Sequence, residues 1–166
     1  LAATERVVLD DSAPVFIRGY AWYRLLRHWA SLRFDDGNGL CPGALQKRAR
    51  GLFGQLTRTK TSGSDKAVAI LPRFLSREAH IGAAWLDAGA DLWMEGGKLF
   101  FPRDYFLVLP NSDFSSHCGR RARYTDAQCF SKALLSSLKD EHGETNSAMC
   151  RIRQMQSAFG TQAISK

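Results

Sequence analysis

Metal-binding spacing is missing from this sequence. The four cysteines, Cys41, Cys118, Cys129 and Cys150, form no CxxC pair and stand in no Cys/His cluster at zinc spacing. No metal or other cofactor is therefore expected, and the free thiols of an intracellular protein are the simplest reading. Long apolar runs are missing too: no stretch of about 18 residues could cross a bilayer as a helix, so no membrane partner is expected. The start, LAATERVVLDD, has no basic segment followed by an apolar one, which argues against a secretory leader. It has no initiator Met either, and reads as part of a longer chain. No repeat or low-complexity run is present.

Acids are the scarcer charge. Asp and Glu number 16 against 23 Lys and Arg, for a formal net charge of +7. From Gly37 to Ser64 there is no acid at all, yet Lys47, Arg48, Arg50, Arg58 and Lys60 stand there, with Lys66 just beyond. Such a stretch attracts a polyanion and repels none of it. Charge alone leaves the partner open, because membrane-surface proteins and plain basic enzymes share this balance.

With 166 residues, 45% of them hydrophobic, one domain with a real core can form. Asp10-Asp11-Ser12-Ala13-Pro14 signals a helix start. Residues 15–32 then carry Val15, Tyr20, Trp22, Leu25, Leu26, Trp29 and Leu32 at helical spacing. That helix should stop near Arg33, before the loop Asp35-Asp36-Gly37-Asn38-Gly39. Residues 41–50 read as a loop with room for a helical turn. Residues 51–59 read as a strand, Ser62-Gly63-Ser64-Asp65 as a turn, and 67–71 as the returning strand, ended by Pro72. Lys60 then sits at a hairpin tip.

Ser76 and Glu78 should open a second helix running to about Met94, ended by Gly96-Gly97. Residues 104–109 read as a short buried extended segment stopped by Pro110, and Asn111 to Arg123 as a polar, basic loop. Thr125-Asp126 should cap a last helix reaching about Glu141. Residues 144–166 lack periodicity and read as a loosely ordered tail, leaving 1–143 as the folded domain. The four tryptophans, with Tyr20, Tyr23 and Tyr105, read as core or packing residues rather than base-stacking platforms.

Two cations invite a chemical role. Arg33 follows the first long helix and has Asp36 three residues on; a guanidinium steadied by an acid suits a planar grip on phosphate. Lys60 on a turn could enter a groove or protonate a leaving oxygen.

Taken in order, these features resemble the catalytic domain of the tyrosine recombinases, the phage-integrase family, in its mobile-element form. The residues that carry the resemblance are Leu32-Arg33-Phe34-Asp35-Asp36, then Thr59-Lys60-Thr61 at a hairpin turn, then Ile70-Leu71-Pro72, over roughly residues 15–141. The resemblance implies an α+β fold, mainly helical with a small antiparallel β-sheet. It also implies site-specific recombination or integration by a metal-free transesterification on double-stranded DNA, in a homo-oligomer on that DNA, in a nucleus or a prokaryotic cytoplasm. Arg33 would clamp the scissile phosphate with Asp36 in support, Lys60 would protonate the leaving oxygen, and Lys47, Arg48, Arg50, Arg58 and Lys66 would contact DNA.

The family's His-x-x-Arg and nucleophilic Tyr do not follow Gly143. A literal match, His117-Cys118-Gly119-Arg120, lies upstream of the last helix and reads as a chance match; Tyr124 follows it too closely to be the nucleophile. The chain is therefore expected to hold the front half of such a site, as an incomplete recombinase-like domain. The alternatives are a non-catalytic basic DNA-binding remnant of the same fold and an unrelated soluble α+β domain.

Overall fold

Two helices meet at Asp10, and its carboxylate shapes the turn between them. The computed structural model describes residues 1–56, 71–76, 82 and 84–139. Helix α1 spans Ala2–Leu9 and α2 spans Val15–Trp29. Asp10 Oδ1 accepts from the Ser12 N–H (2.9 Å) and the Ser12 hydroxyl (2.6 Å). The acids thus build the turn and do not cap α2, whose first residue follows Pro14. The Phe16 N–H, one of the free donors at the start of α2, instead finds the carbonyl of Phe114 at 2.9 Å. Helix α1, unforeseen in the sequence, buries Thr4, Glu5 and Val8, an i, i+4 pattern on its inner face.

Helix α2 is the centre of the molecule. It buries Phe16, Gly19, Tyr20, Ala21, Trp22, Tyr23, Leu25 and Leu26, too many for a single stripe, because it is covered from several sides. Helix α4 (Ala84–Trp93) lies against it where Gly89 faces the Trp22 ring. Trp22 Nε1 donates to the Leu86 carbonyl at 2.9 Å, and Trp93 Nε1 donates to the Gly19 carbonyl at 3.1 Å. Helix α5 (Tyr124–Lys139) adds Ala127, Phe130 and Leu134 to the core, and its Ala127 carbonyl accepts the Tyr20 hydroxyl at 2.6 Å. Tyr20, Trp22 and Trp93 thus each bury a large ring and satisfy the polar tip.

A three-stranded antiparallel sheet, order β1-β2-β3, joins Gln46–Arg48, Gly51–Leu56 and Leu71–Ser76. The second sheet pairs β4 (Val108–Pro110) with β5 (His117–Arg121). The fold is a mixture of helices and small antiparallel sheets. Among the described residues no helix is long and apolar enough to cross a membrane.

Several boundaries differ from the sequence expectation. Residues 35–38 are not loop: Phe34–Asn38 form a short helix, α3, because Asp35 and Asp36 fall in its first turn, where acids favour the helix dipole. Residues 41–50 hold a 3₁₀ turn (Pro42–Ala44) and also strand β1. Pro72 does not end the returning strand but lies within β3, opposite Gln55; β3 is an edge strand, where a missing N–H is tolerated. Ser76 lies in β3 rather than opening a helix; Glu78 lies outside the described residues, and α4 is described over Ala84–Trp93. Pro110 sits inside β4, and the supposed basic loop contains β5, because the buried backbone at Leu107 and Val108 requires partners. The tail 144–166 lies outside the described residues.

The end of α2 fixes where the chain goes next. Ser31 adopts a left-handed φ of 53°; its N–H donates to the His28 carbonyl (3.2 Å), and the Leu32 N–H donates to the Arg27 carbonyl (2.8 Å). This is a Schellman closure with serine where glycine is favoured. Ser31→Gly is expected to stabilise the fold by about 0.5–1 kcal/mol, since the Cβ penalty outweighs glycine's entropy cost. Ser31→Val should destabilise it, and thermal melting of both variants tests the pair.

Candidate nucleic-acid interface

Arg33 emerges from that closure exposed to solvent, two residues past Ser31 and directly before α3. Asp36 Oδ2 accepts the backbone N–H of Arg33 at 3.3 Å. This contact steadies the main chain, a different duty from the grip on the guanidinium expected from sequence. Arginine carries no acceptor, so its side chain cannot return a capping bond to α3. The guanidinium of Arg33 makes no ion pair among the described residues.

Helix α3 is held at both ends. Beneath Arg33, the Phe34 ring meets Tyr124 edge-on at 5.4 Å between centroids, and the Arg27 guanidinium lies 5.6 Å from the Phe34 and Tyr23 rings. At the far end Asn38 is buried; its carbonyl accepts the Phe106 N–H (3.0 Å) and its Oδ1 accepts the Leu107 N–H (2.8 Å). Leu40 then bridges to Leu56, the last residue of β2. Arg33 is therefore separated from the end of β2 by one five-residue helix, about 7.5 Å long, and a two-residue link.

Strands β2 and β3 pair antiparallel from Gly51↔Ser76 to Leu56↔Leu71. The strand expected at 51–59 is described as far as Leu56 and pairs with Leu71–Ser76, not with the expected 67–71, of which only Leu71 is described; residues 57–70, with Arg58, Lys60 and Lys66, lie outside the described residues. In the sequence Ser62-Gly63-Ser64-Asp65 occupies the middle of that segment.

The other predicted contacts divide. Arg50 is exposed in the turn between β1 and β2. Arg48 lies 4.2 Å over the Phe53 ring and donates to Gln46 Oε1 at 3.1 Å. Lys47 is ion-paired with Asp91 of α4. The acid-free stretch thus meets an acid supplied in space, and Lys47 is not a free cation. His117 and Arg120 form no joint site: His117 stacks on Phe101 (centroids 4.5 Å apart), while Arg120 is exposed on β5.

Burial pushes the phenols of Tyr20 and Tyr23 upward, which keeps them protonated core residues rather than nucleophiles. Among the described residues no three His, Cys, Asp or Glu side chains gather as metal ligands, and Cys41, Cys118 and Cys129 are free thiols.

Arg103 was missed in the sequence. Its Nε and Nη2 donate to the Phe106 carbonyl (3.2 and 2.9 Å), and its Nη1 donates to the carbonyls of Leu99 (3.3 Å) and Phe101 (3.0 Å). The guanidinium also lies 4.4 Å from the Phe101 ring centre. Burial lowers its pKa to about 10, still well above neutrality. The aromatic neighbours in Phe100-Phe101-Pro102-Arg103-Asp104-Tyr105 were the available hint.

Burial, and secondarily Arg103, hold the His117 pKa below its usual 6.5. The neutral ring is thus favoured in the native state, so the unfolded chain binds the proton more readily. Stability is full above pH 6.5 and falls as pH drops through the lowered native value. A loss of urea midpoint between pH 7.5 and 5 is expected, and His117→Gln should flatten it.

No family model matches the sequence, and no curated protein or solved structure matches it either.

Proposed function

We propose that this domain engages duplex DNA through its phosphates, as the front half of a tyrosine-recombinase-type site. Arg33 is the phosphate clamp, and Lys60 is the cation directed at the leaving oxygen. The observation that carries the reading is the link from Arg33 through α3 and the Leu40–Leu56 bridge to the end of β2, from which the chain enters the segment bearing Thr59-Lys60-Thr61. Phosphate recognition by such cations needs no metal, because charge on the phosphoryl oxygens is met directly by donors and positive charge. The exposed Arg33 guanidinium is available for that role.

Arg33→Ala should weaken duplex binding roughly three- to tenfold and lower the salt slope by about 1, with the melting temperature unchanged. Lys60→Ala should lower affinity only slightly, because its role lies in proton donation. Loss of folding in Arg33→Ala, or unchanged affinity, would count against the clamp. A nicked duplex incubated with the protein distinguishes a complete strand-transfer site, which becomes covalently linked, from a binding-only domain, which does not.

A further inference from the structure

We propose that the β4–β5 ribbon is a second phosphate-binding surface, continuous with Arg33, that tracks the backbone of the same duplex. The inference rests on the DNA reading above but on different residues.

Arg120 and Arg121 on β5, and Arg123 just after it, are all exposed, and none makes an ion pair among the described residues. From Ser115 to Thr125 the chain holds no acid. The acids that flank this run are engaged with local donors. Asp113 Oδ1 accepts the Ser115 N–H (2.9 Å) and hydroxyl (2.7 Å), and Asp126 Oδ2 accepts the Arg123 N–H (2.8 Å). Asp104 is exposed beside Tyr105 and forms no ion pair with these arginines among the described residues. Three positive charges thus face solvent with no ion pair among the described residues.

The ribbon that carries them is rigidly tied. Val108 pairs with Arg121 and Pro110 with His117. The Ala122 N–H donates to the Leu107 carbonyl at 2.9 Å, and Ala122 is buried. The Tyr105 hydroxyl donates to the Gly119 carbonyl at 2.8 Å, while the Arg121 guanidinium lies 5.6 Å from the Tyr105 ring. Gly119 adopts a φ of 75°, which a side chain would strain. A guanidinium mounted on a braced ribbon loses less conformational freedom on binding than one on a free loop.

Continuity with Arg33 comes from the Phe34–Tyr124 ring pair. Arg33 precedes one ring and Arg123 precedes the other, so the main chain that carries each cation adjoins a single edge-on contact of 5.4 Å. The path Arg33, Phe34, Tyr124, Arg123 then continues onto β5. Arg120 and Arg121 are successive residues of β5 and project to opposite faces, so a duplex laid along the ribbon's edge is the arrangement in which both reach phosphates.

The test compares two triple variants on one fluorescent duplex at about 100 mM salt. Arg120→Gln/Arg121→Gln/Arg123→Gln should weaken binding at least about thirtyfold and reduce the salt slope by about 2–3. Arg6→Gln/Lys98→Gln/Lys132→Gln removes the same charge from exposed positions on other segments and should weaken it less than about threefold. A third variant with lysine at 120, 121 and 123 controls for folding and should retain most of the affinity.

Equal losses from the two glutamine triples would overturn the proposal, leaving only a net-charge effect. If the ribbon triple binds normally while Arg33→Ala still weakens, the ribbon inference falls and the DNA reading stands. The opposite pattern sustains the ribbon and removes Arg33 from the site. Binding to phosphatidylserine vesicles with no binding to the duplex would overturn both.

Discussion

Gly89→Ala is expected to destabilise the fold strongly, although alanine is the better helix former by about 1 kcal/mol. A Cβ at position 89 would stand 2.0 Å from Trp22 Cδ1 and 2.1 Å from Cγ, well inside contact distance. The ring has nowhere to go. Trp22 is fully buried, its Nε1 is committed to the Leu86 carbonyl, and Phe106 stacks near it with centroids 6.1 Å apart. Helices α2 and α4 would have to separate, and every contact along that seam would loosen. Overpacking costs typically 1–3 kcal/mol where neighbours adjust; with a rigid indole the cost should exceed about 3 kcal/mol and outweigh the propensity gain. The melting temperature should drop by about 10 °C or more for a domain of this size. An unchanged or raised value would contradict the described approach of α4 to α2.

Arg103→Met is the second large effect. Methionine retains a flexible stem but supplies no donor, so three main-chain carbonyls that share four hydrogen bonds lose their partner. Unsatisfied half-buried acceptors and a lost charged donor together should cost about 2–4 kcal/mol. Arg103→Lys should rescue little, because one ammonium cannot reproduce the planar fork that reaches Leu99, Phe101 and Phe106 at once. A second readout separates this from general loosening. Arg103 is one of the two causes that depress the His117 pKa, so its removal should move that pKa back toward 6.5 in an NMR titration. A urea midpoint within error of wild type would show that the 99–106 segment is held by other means.

These two residues mark what sequence reading could and could not reach. The long helices were legible because their apolar residues repeat at helical spacing and the chain has clear stops: Ser31 closes α2 close to the expected place, and α5 begins beside Asp126. The tryptophans were rightly read as core, with Trp22, Trp85 and Trp93 buried and Trp29 partly so. Short elements were less legible, because their stability comes from distant partners. Phe34–Asn38 looked like a breaker run until Asn38 is seen clasping Phe106 and Leu107. Strand β5 looked like loop because its outer face is polar, and only the paired backbone of β4 makes it a strand.

The candidate site was legible in part for the same reason. Arg33 could be singled out as an arginine at a helix end, whereas the pairing of Lys47 with Asp91 crosses 44 residues of chain and leaves no local trace. Arg121 and Arg123 were folded into a general basic loop. What distinguishes them is their exposure on and just after a paired strand with no ion pair among the described residues, which only coordinates reveal.

The measurement closest to the central claim is the affinity of the unaltered protein for a duplex across salt. With about four phosphates neutralised by Arg33 and the three ribbon arginines, affinity should fall about 10²-fold between roughly 50 and 200 mM monovalent salt. An affinity that stays flat over that range, or no binding at the low-salt end, would contradict a phosphate-engaging surface on this domain.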